Sequence, residues 1–360
     1  MSRWMAMTVL AAAITVMAVR AGGCVHGPRA LHARAVELQA EGAAALARGE
    51  LDRAAGHFAL ALEYEPRFAE AENGLGLVAL RYGDLARAEE RFAAALALNE
   101  NLAEAHLNLG GLRLRDDRLE EALSELRAAV AIDPGYGDAR LAAGEALLRL
   151  GRPADARWEL AKLCAAEPKR AEAHAAHALA LAALGRVAAA EGEVRAAFAL
   201  DERLPMAHRA RAEILRRGGD LEGATDELRL AIGRGPGAID DRVALATVLV
   251  ARQRWDEADE ALGSLVLAAP RRAEARFLVA YAALVRGKAD AAVVAAREAL
   301  ALRPAYPEAR LVFGEALARL GRDAEARRAL GEFLREAPPE LTVERARVEA
   351  YLRTPPTPTR

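Results

Sequence analysis

What the chain lacks narrows its possibilities first. Its 360 residues include two cysteines, Cys24 and Cys164, so no disulfide framework is available. Aromatic residues are 4% of a sequence that is 53% hydrophobic, which leaves the apolar content mostly to Ala, Leu and Val. Ala is the strongest helix former, so the shortage of aromatics tilts the composition towards helix. A formal net charge of −2 removes the basic footprint needed for nucleic acid or an anionic membrane surface. Lysine is scarce as well, found only at Lys162, Lys169 and Lys288. No glycine-rich phosphate loop, Cys-x-x-Cys pair or serine elbow occurs.

One stretch stands apart from the rest. Arg3 precedes an uncharged, mostly apolar run from Trp4 to Val19, and Ala21-Gly22-Gly23-Cys24 follows. A basic start, an apolar core and small residues before a cleavage point read as an export signal over residues 1–23, with a short linker over 24–34. The run is shorter than the roughly 20 residues a membrane-spanning helix needs. Its small residues before Cys24 resemble the lipobox of bacterial lipoproteins, with Ala21 where that family usually has Leu and Arg20 where it avoids charge. The resemblance implies an acylated Cys24 and an exported, periplasm-facing protein held to the outer membrane by its lipid. An ordinary signal peptide or an uncleaved anchor is the alternative.

The body of the chain is repetitive. Pro66, Pro134, Pro168, Pro236, Pro270, Pro304 and Pro338 lie on a grid of 34 residues, whose two vacant points hold Glu100 and Glu202. Twelve residues before each grid point stands an alanine: Ala54, Ala88, Ala122, Ala156, Ala190, Ala224, Ala258, Ala292 and Ala326. The eighth position of each unit is always Gly or Ala, which lets two helices approach closely. The fifteenth is Gly in seven units, where a first helix must end in a left-handed turn. Asp117 and Gln253 stand in its place in the other two, and looser caps are expected there. The row containing Leu62, Leu96, Val130, Cys164 and Phe198 is apolar, which makes Cys164 an inert core residue.

A 34-residue helix–turn–helix period is the tetratricopeptide signature, and the chain resembles that family. The resemblance implies an all-α fold, a right-handed superhelical solenoid of nine units: 35–68, 69–102, 103–136, 137–170, 171–204, 205–238, 239–272, 273–306 and 307–340. A capping helix over 341–352, with Leu341, Ala346, Ala350 and Leu352 as its apolar residues, would cover the last unit, and a Pro/Thr-rich tail over 353–360 would be disordered. At the fourth position, where the family often has Trp, the chain has Leu38, Glu72, His106, Arg140, His174, His208, Arg242, Arg276 and Arg310. Long basic stems there are expected to cover the helix interface with their charged heads in water.

Candidate chemistry is sparse. The acidic row Glu70, Glu104, Asp138, Glu172, Asp240, Glu274 and Glu308 occupies first turns of helices, where a negative charge complements the dipole. His174 and His177 lie three apart on one helix, but spacing brings no acid or cysteine to them, so no metal site is expected. With residues 35–340 consumed by repeats, no enzyme, no cofactor and no nucleic-acid partner are expected.

Binding is what such a fold offers. In the resembled family the first helices line a concave groove. Its ligand-facing positions transfer to Leu77, Leu80, Leu107, Leu114, Leu141 and Leu148, then to Arg209, Glu213, Arg216 and Arg217, then to Val243, Phe277, Tyr281, Leu284 and Leu311. One or more proteins, bound as an extended or helical segment with apolar anchors and a central acidic group, would complement that profile. Together with the export signal, the resemblance implies a non-catalytic, lipid-anchored envelope scaffold assisting a pilus, secretion or polysaccharide-export assembly. A regulator of a cell-wall enzyme acting in trans, or an inner-membrane-anchored or cytoplasmic adaptor, is the alternative.

Overall fold

A computed structural model describes residues 31–235, 239–339 and 341–354. The expectations for the export segment, for Cys24 and for the end of the tail lie outside the described residues. Those described hold nineteen α-helices and no strand. First come α1 (Ala33–Ala47), α2 (Leu51–Tyr64), α3 (Ala69–Tyr82), α4 (Leu85–Leu98), α5 (Ala103–Arg115) and α6 (Leu119–Ile132). Next are α7 (Gly137–Arg149), α8 (Pro153–Ala166), α9 (Ala171–Ala183), α10 (Val187–Leu200), α11 (Pro205–Arg217) and α12 (Leu221–Arg234). The order ends with α13 (Ile239–Ala251), α14 (Trp255–Ala268), α15 (Ala273–Val285), α16 (Ala289–Leu302), α17 (Pro307–Arg319), α18 (Asp323–Glu336) and α19 (Thr342–Arg353). None of these helices is long and apolar enough to cross a membrane.

The helices pack as consecutive pairs, and the repeated residues explain why. Every alanine of the row from Ala54 to Ala326 is fully buried, because a second helix can pack closely only where the side chain is a single methyl. Across from it the eighth-position glycines make room for a large residue. A Cβ on Gly42 would lie 2.7 Å from the Phe58 ring, and one on Gly76 would lie 2.5 Å from Phe92. Phe58 and Phe92 are 1% and 0% exposed, and each such burial contributes roughly 1.5–3 kcal/mol. These two phenylalanines thus sit where glycine admits them.

The turns inside the pairs are uniform. Glycines at 49, 83, 151, 185, 219, 287 and 321 all have positive φ. Asp117 and Gln253 adopt the same left-handed conformation, at φ 63° and 56°. Their caps are not looser. The backbone N–H of Arg118 donates to the Arg113 carbonyl at 2.9 Å and that of Arg254 to Leu249 at 3.0 Å, matching Asp84 to Ala79 at 3.0 Å after Gly83. The price is backbone strain of about 1–3 kcal/mol at each non-glycine residue, so those two side chains need a reason to be there.

By their contacts the residues fall into two compact units. One comprises residues up to Leu112 with Ser124–Tyr136, and its core repeats small clusters such as Ala54, Phe58 and Val78, or Ala88, Phe92 and Leu109. The other comprises Arg113–Leu123 with Gly137–Arg360. Its core runs through clusters such as Leu249, Leu262 and Leu278 to Leu330 and Phe333 beneath α19. That last helix is anchored by Val348, 2% exposed, with Tyr351 and Leu352 beside it, whereas Ala346 and Ala350 face solvent. The expected apolar set was therefore wrong at both alanines. Arg345 donates to the free carbonyls of Leu334 and Ala337 at 2.9 Å, closing the end of α18.

Candidate protein-binding cavity

The fourth-position row does not send its charges into water. His106 Nδ1 donates to Glu125 Oε2 at 2.6 Å, His174 to Glu193 at 2.6 Å, and His208 to Glu227 at 2.7 Å. Arg140 pairs with Glu159 at 2.7 Å, and Glu72 with Arg91 at 2.8 Å in reversed polarity. Each pair spans 19 residues and ties a first helix to the second helix of the same pair. His106, Arg140, His174 and His208 are mostly buried, so the expectation of solvated heads fails. Desolvated charge must be neutralised locally, and the acid 19 residues on does so. That acid was present in the sequence as a second periodic row and was not used.

Within the second unit the first helices enclose a cavity of about 390 Å³. Leu148 comes from α7, Leu179 from α9, Arg216 from α11, Val243 and Thr247 from α13, and Glu274 from α15. Of the predicted groove residues, Leu148, Arg209, Glu213, Arg216 and Val243 line it. Leu141 lies half-buried nearby in the chain on α7, and Phe277 packs into core clusters against Tyr281 and Tyr306. Tyr281 is 42% exposed. Leu114, Leu284 and Leu311 are core residues, buried to 7%, 3% and 9% exposure. Leu284 packs against Val312 and Leu317 of the next helix pair, whereas Leu148, at the same twelfth position of its unit, lines the cavity. In the first unit Leu77 and Leu80 pack partly buried against the Ala79–Phe92 cluster, and Leu107 is half-buried on α5.

The lining is charged but balanced. Arg149, Arg209, Arg216 and Arg272 face Glu145, Glu213, Asp240 and Glu274. The three arginines expected to be free for a ligand are all engaged. Arg209 lies 3.3 Å from Asp240 and 3.5 Å from Asp241, while Glu213 holds Arg216 at 2.7 Å and Arg217 at 2.6 Å. Glu213 is three and four residues before them on one helix face, a pairing already legible in the sequence. The partners of Arg209 come from the following helix pair and needed the structure.

These neighbours set the ionisation. Burial opposes charge on Asp240, but Arg272, Arg209 and Arg149 override it and hold its carboxyl well below the usual range. For Asp241, burial wins over Arg209 and pushes the carboxyl up to about 6. Its Oδ1 has no hydrogen-bond partner. Burial likewise raises Glu145. Glu213 is lowered, burial being outweighed by Arg216 and Arg217.

Asp117 supplies the feature that sequence reasoning missed. It is 5% exposed and pairs with Arg149 at 2.6 Å and with Arg303 at 2.7 Å. The same carboxylate accepts from the Ala273 backbone N–H at 3.2 Å, at the start of α15. A turn residue thereby clamps a segment more than 150 positions away. The only warning in the sequence was its interruption of the glycine row. Charge-assisted hydrogen bonds of about 1.5–3 kcal/mol each offset the strain of its backbone.

Cys164 is half-buried, and burial together with Glu193 pushes its thiol up to about 12, so it is inert as a nucleophile. Packing nevertheless places it with His174 and Glu193, donor atoms within 4.8 Å of one another. Spacing along α9 brings neither to the histidines: Cys164 arrives from α8 of the preceding pair, and Glu193 from α10, 19 residues after His174.

Helix pairs at a 34-residue period, with small residues at the close contacts and a cavity faced by first helices, define a repeat protein of the tetratricopeptide class. Two family models, each described as Tetratricopeptide repeat, match the chain, one at residues 40–100, 78–137, 175–239 and 243–307, the other at 113–180 and 283–346. The chain belongs to the tetratricopeptide repeat family, whose repeats are protein–protein interaction scaffolds. A search of the curated proteins finds no match. Among solved structures, the chain is similar to that of the APC/C hetero-tetramer Cut9-Hcn1, with a TM-score of 0.50 and 15% identity over 78% of this chain and 55% of that one. It is also similar to pilF of Pseudomonas aeruginosa, with a TM-score of 0.49 and 20% identity over 58% of this chain and 95% of that one. For YrrB, described as a TPR protein with an unusual peptide-binding site, the TM-score is 0.41 and the identity 22%, over 50% of this chain and 92% of that one.

Proposed function

We propose that this protein holds a partner polypeptide, as an extended or helical segment, in the cavity of the second unit. The observation that carries the reading is the convergence of first-helix residues from α7, α9, α11, α13 and α15 on one space. Leu148, Leu179 and Val243 offer apolar surface for anchors. The charge balance makes apolar anchoring the main contribution to binding. An acidic ligand group would meet Arg216 and Arg217, each 35% exposed, in competition with Glu213. We read the array as nine units over 35–340. With the export-type segment and the lipobox resemblance, the role is that of a lipid-anchored envelope scaffold for a pilus, secretion or polysaccharide-export assembly. A photo-crosslinking residue at Thr247, inside the cavity, should capture a specific protein from native membranes. The same residue at exposed Glu191 on α10 should not. Equal capture from both positions, or none from Thr247, overturns the cavity as the binding surface.

A further inference from the structure

We propose that Cys164, His174 and Glu193 form a binding site for a borderline divalent metal of the zinc class. Sulfur, imidazole nitrogen and carboxylate oxygen are the donors such ions take, and a mixed set of this kind selects zinc over the hard cations. The Cys164, His174 and Glu193 donor atoms lie within 4.8 Å of one another. A tetrahedral zinc site needs ligand-to-ligand separations of about 3.3–3.8 Å, so rotamer adjustments suffice, with the His174–Glu193 contact at 2.6 Å opening by roughly 1 Å. His177 Nδ1 lies 3.2 Å from Glu193 Oε1, beside the three mutually close donors and not among them.

The orientation of His174 is what a ligating histidine requires. Its Nε2–H donates to the Pro168 carbonyl at 3.1 Å, which fixes the ring and directs Nδ1 at Glu193 and Cys164. A second hydrogen bond of this kind is the usual companion of a metal-bound imidazole. On binding, the ion displaces the Cys164 thiol proton and the proton between His174 and Glu193, and both pass to solvent. The donors are half-buried instead of sealed, so an ion has a way in.

The repeats contain their own control. His106–Glu125 and His208–Glu227 reproduce the histidine–carboxylate pair at 2.6 and 2.7 Å. At the position of Cys164 those units have Leu96 and Phe198, and at that of His177 they have Leu109 and Arg211. The pair by itself is thus a packing device of the array. Only around His174 are a thiol and a second imidazole added to it.

The test uses the full chain without a histidine tag, in a Cys24→Ala background so that Cys164 is the sole thiol. Titration with Co(II) should give one ion per chain and a thiolate-to-cobalt charge-transfer band, and Zn(II) should displace it. Cys164→Val places there the residue found at Val130, so the helices should form, as circular dichroism will report. This variant should lose the band and weaken Zn(II) binding at least about tenfold. Glu193→Gln should weaken binding while keeping the band, and His106→Ala should change neither. The proposal is overturned if the Cys24→Ala protein shows no charge-transfer band. It is equally overturned if the band or the Zn(II) affinity survives Cys164→Val.

Discussion

Replacing Asp117 by glycine sets two effects of known sign against each other. Glycine at φ 63° relieves the strain of a left-handed non-glycine residue, a gain of about 1 kcal/mol. Against this, the buried carboxylate disappears from between Arg149 and Arg303 and from the Ala273 N–H. Removing one partner of a buried pair typically costs about 3–5 kcal/mol, because the other charge stays behind unpaired. The low end applies here, since Arg303 keeps Glu274 at 3.4 Å and Arg149 keeps the Leu114 carbonyl at 2.8 Å. The three side chains are 5%, 13% and 17% exposed, so solvent screening subtracts little. The net expectation is a loss of about 2 kcal/mol, roughly a 30-fold shift in the local opening equilibrium. Gln253→Gly is the matched control: same backbone, φ 56°, but an exposed side chain, so it should stabilise by up to about 1 kcal/mol. Hydrogen exchange is the appropriate assay, because repeat arrays open locally and a single unfolding midpoint conceals it. Amides at the start of α15 and in α7 should exchange faster in Asp117→Gly. If both variants are stabilised alike, the clamp is absent in solution and the reasoning fails.

Other outcomes follow from the same packing. Gly76→Ala drives a Cβ to 2.5 Å from the Phe92 ring and should cost about 1–3 kcal/mol in urea unfolding, whereas Gly56→Ala on α2 meets nothing within 4 Å and should stabilise by roughly 0.5–1 kcal/mol. Asp241 has a folded-state pKa of about 6, raised above its ordinary 3.8, so its charged form disfavours the fold. Its contribution should therefore improve as pH falls from about 6 to 4. Asp241→Asn should remove that part of the pH profile and be more stable than the parent at pH 7. Cys24→Ala should abolish fatty-acid labelling and release the protein from membranes; retention in the membrane fraction at unchanged mass would instead make residues 1–23 an uncleaved anchor.

Period, helix pairing and the places of closest approach were all written in the sequence. They depend on residues within one 34-residue unit: Gly76 faces Phe92, and its equivalents Gly42, Gly144 and Gly314 face Phe58, Leu160 and Leu330 at the same spacing. The acid 19 residues after His106, Arg140, His174 and His208 recurs in four successive units and was legible though unread. The rest is a matter of distance along the chain. Asp117 meets Arg303 and Ala273, Arg209 meets Asp240 and Asp241, and Cys164 meets Glu193 only once successive helix pairs have stacked. Small per-repeat rotations accumulate to set those meetings, and no local pattern encodes their sum. The sequence by itself therefore determined what each unit is. Only the tertiary structure decided which charges pair inside the cavity and which donors gather around His174.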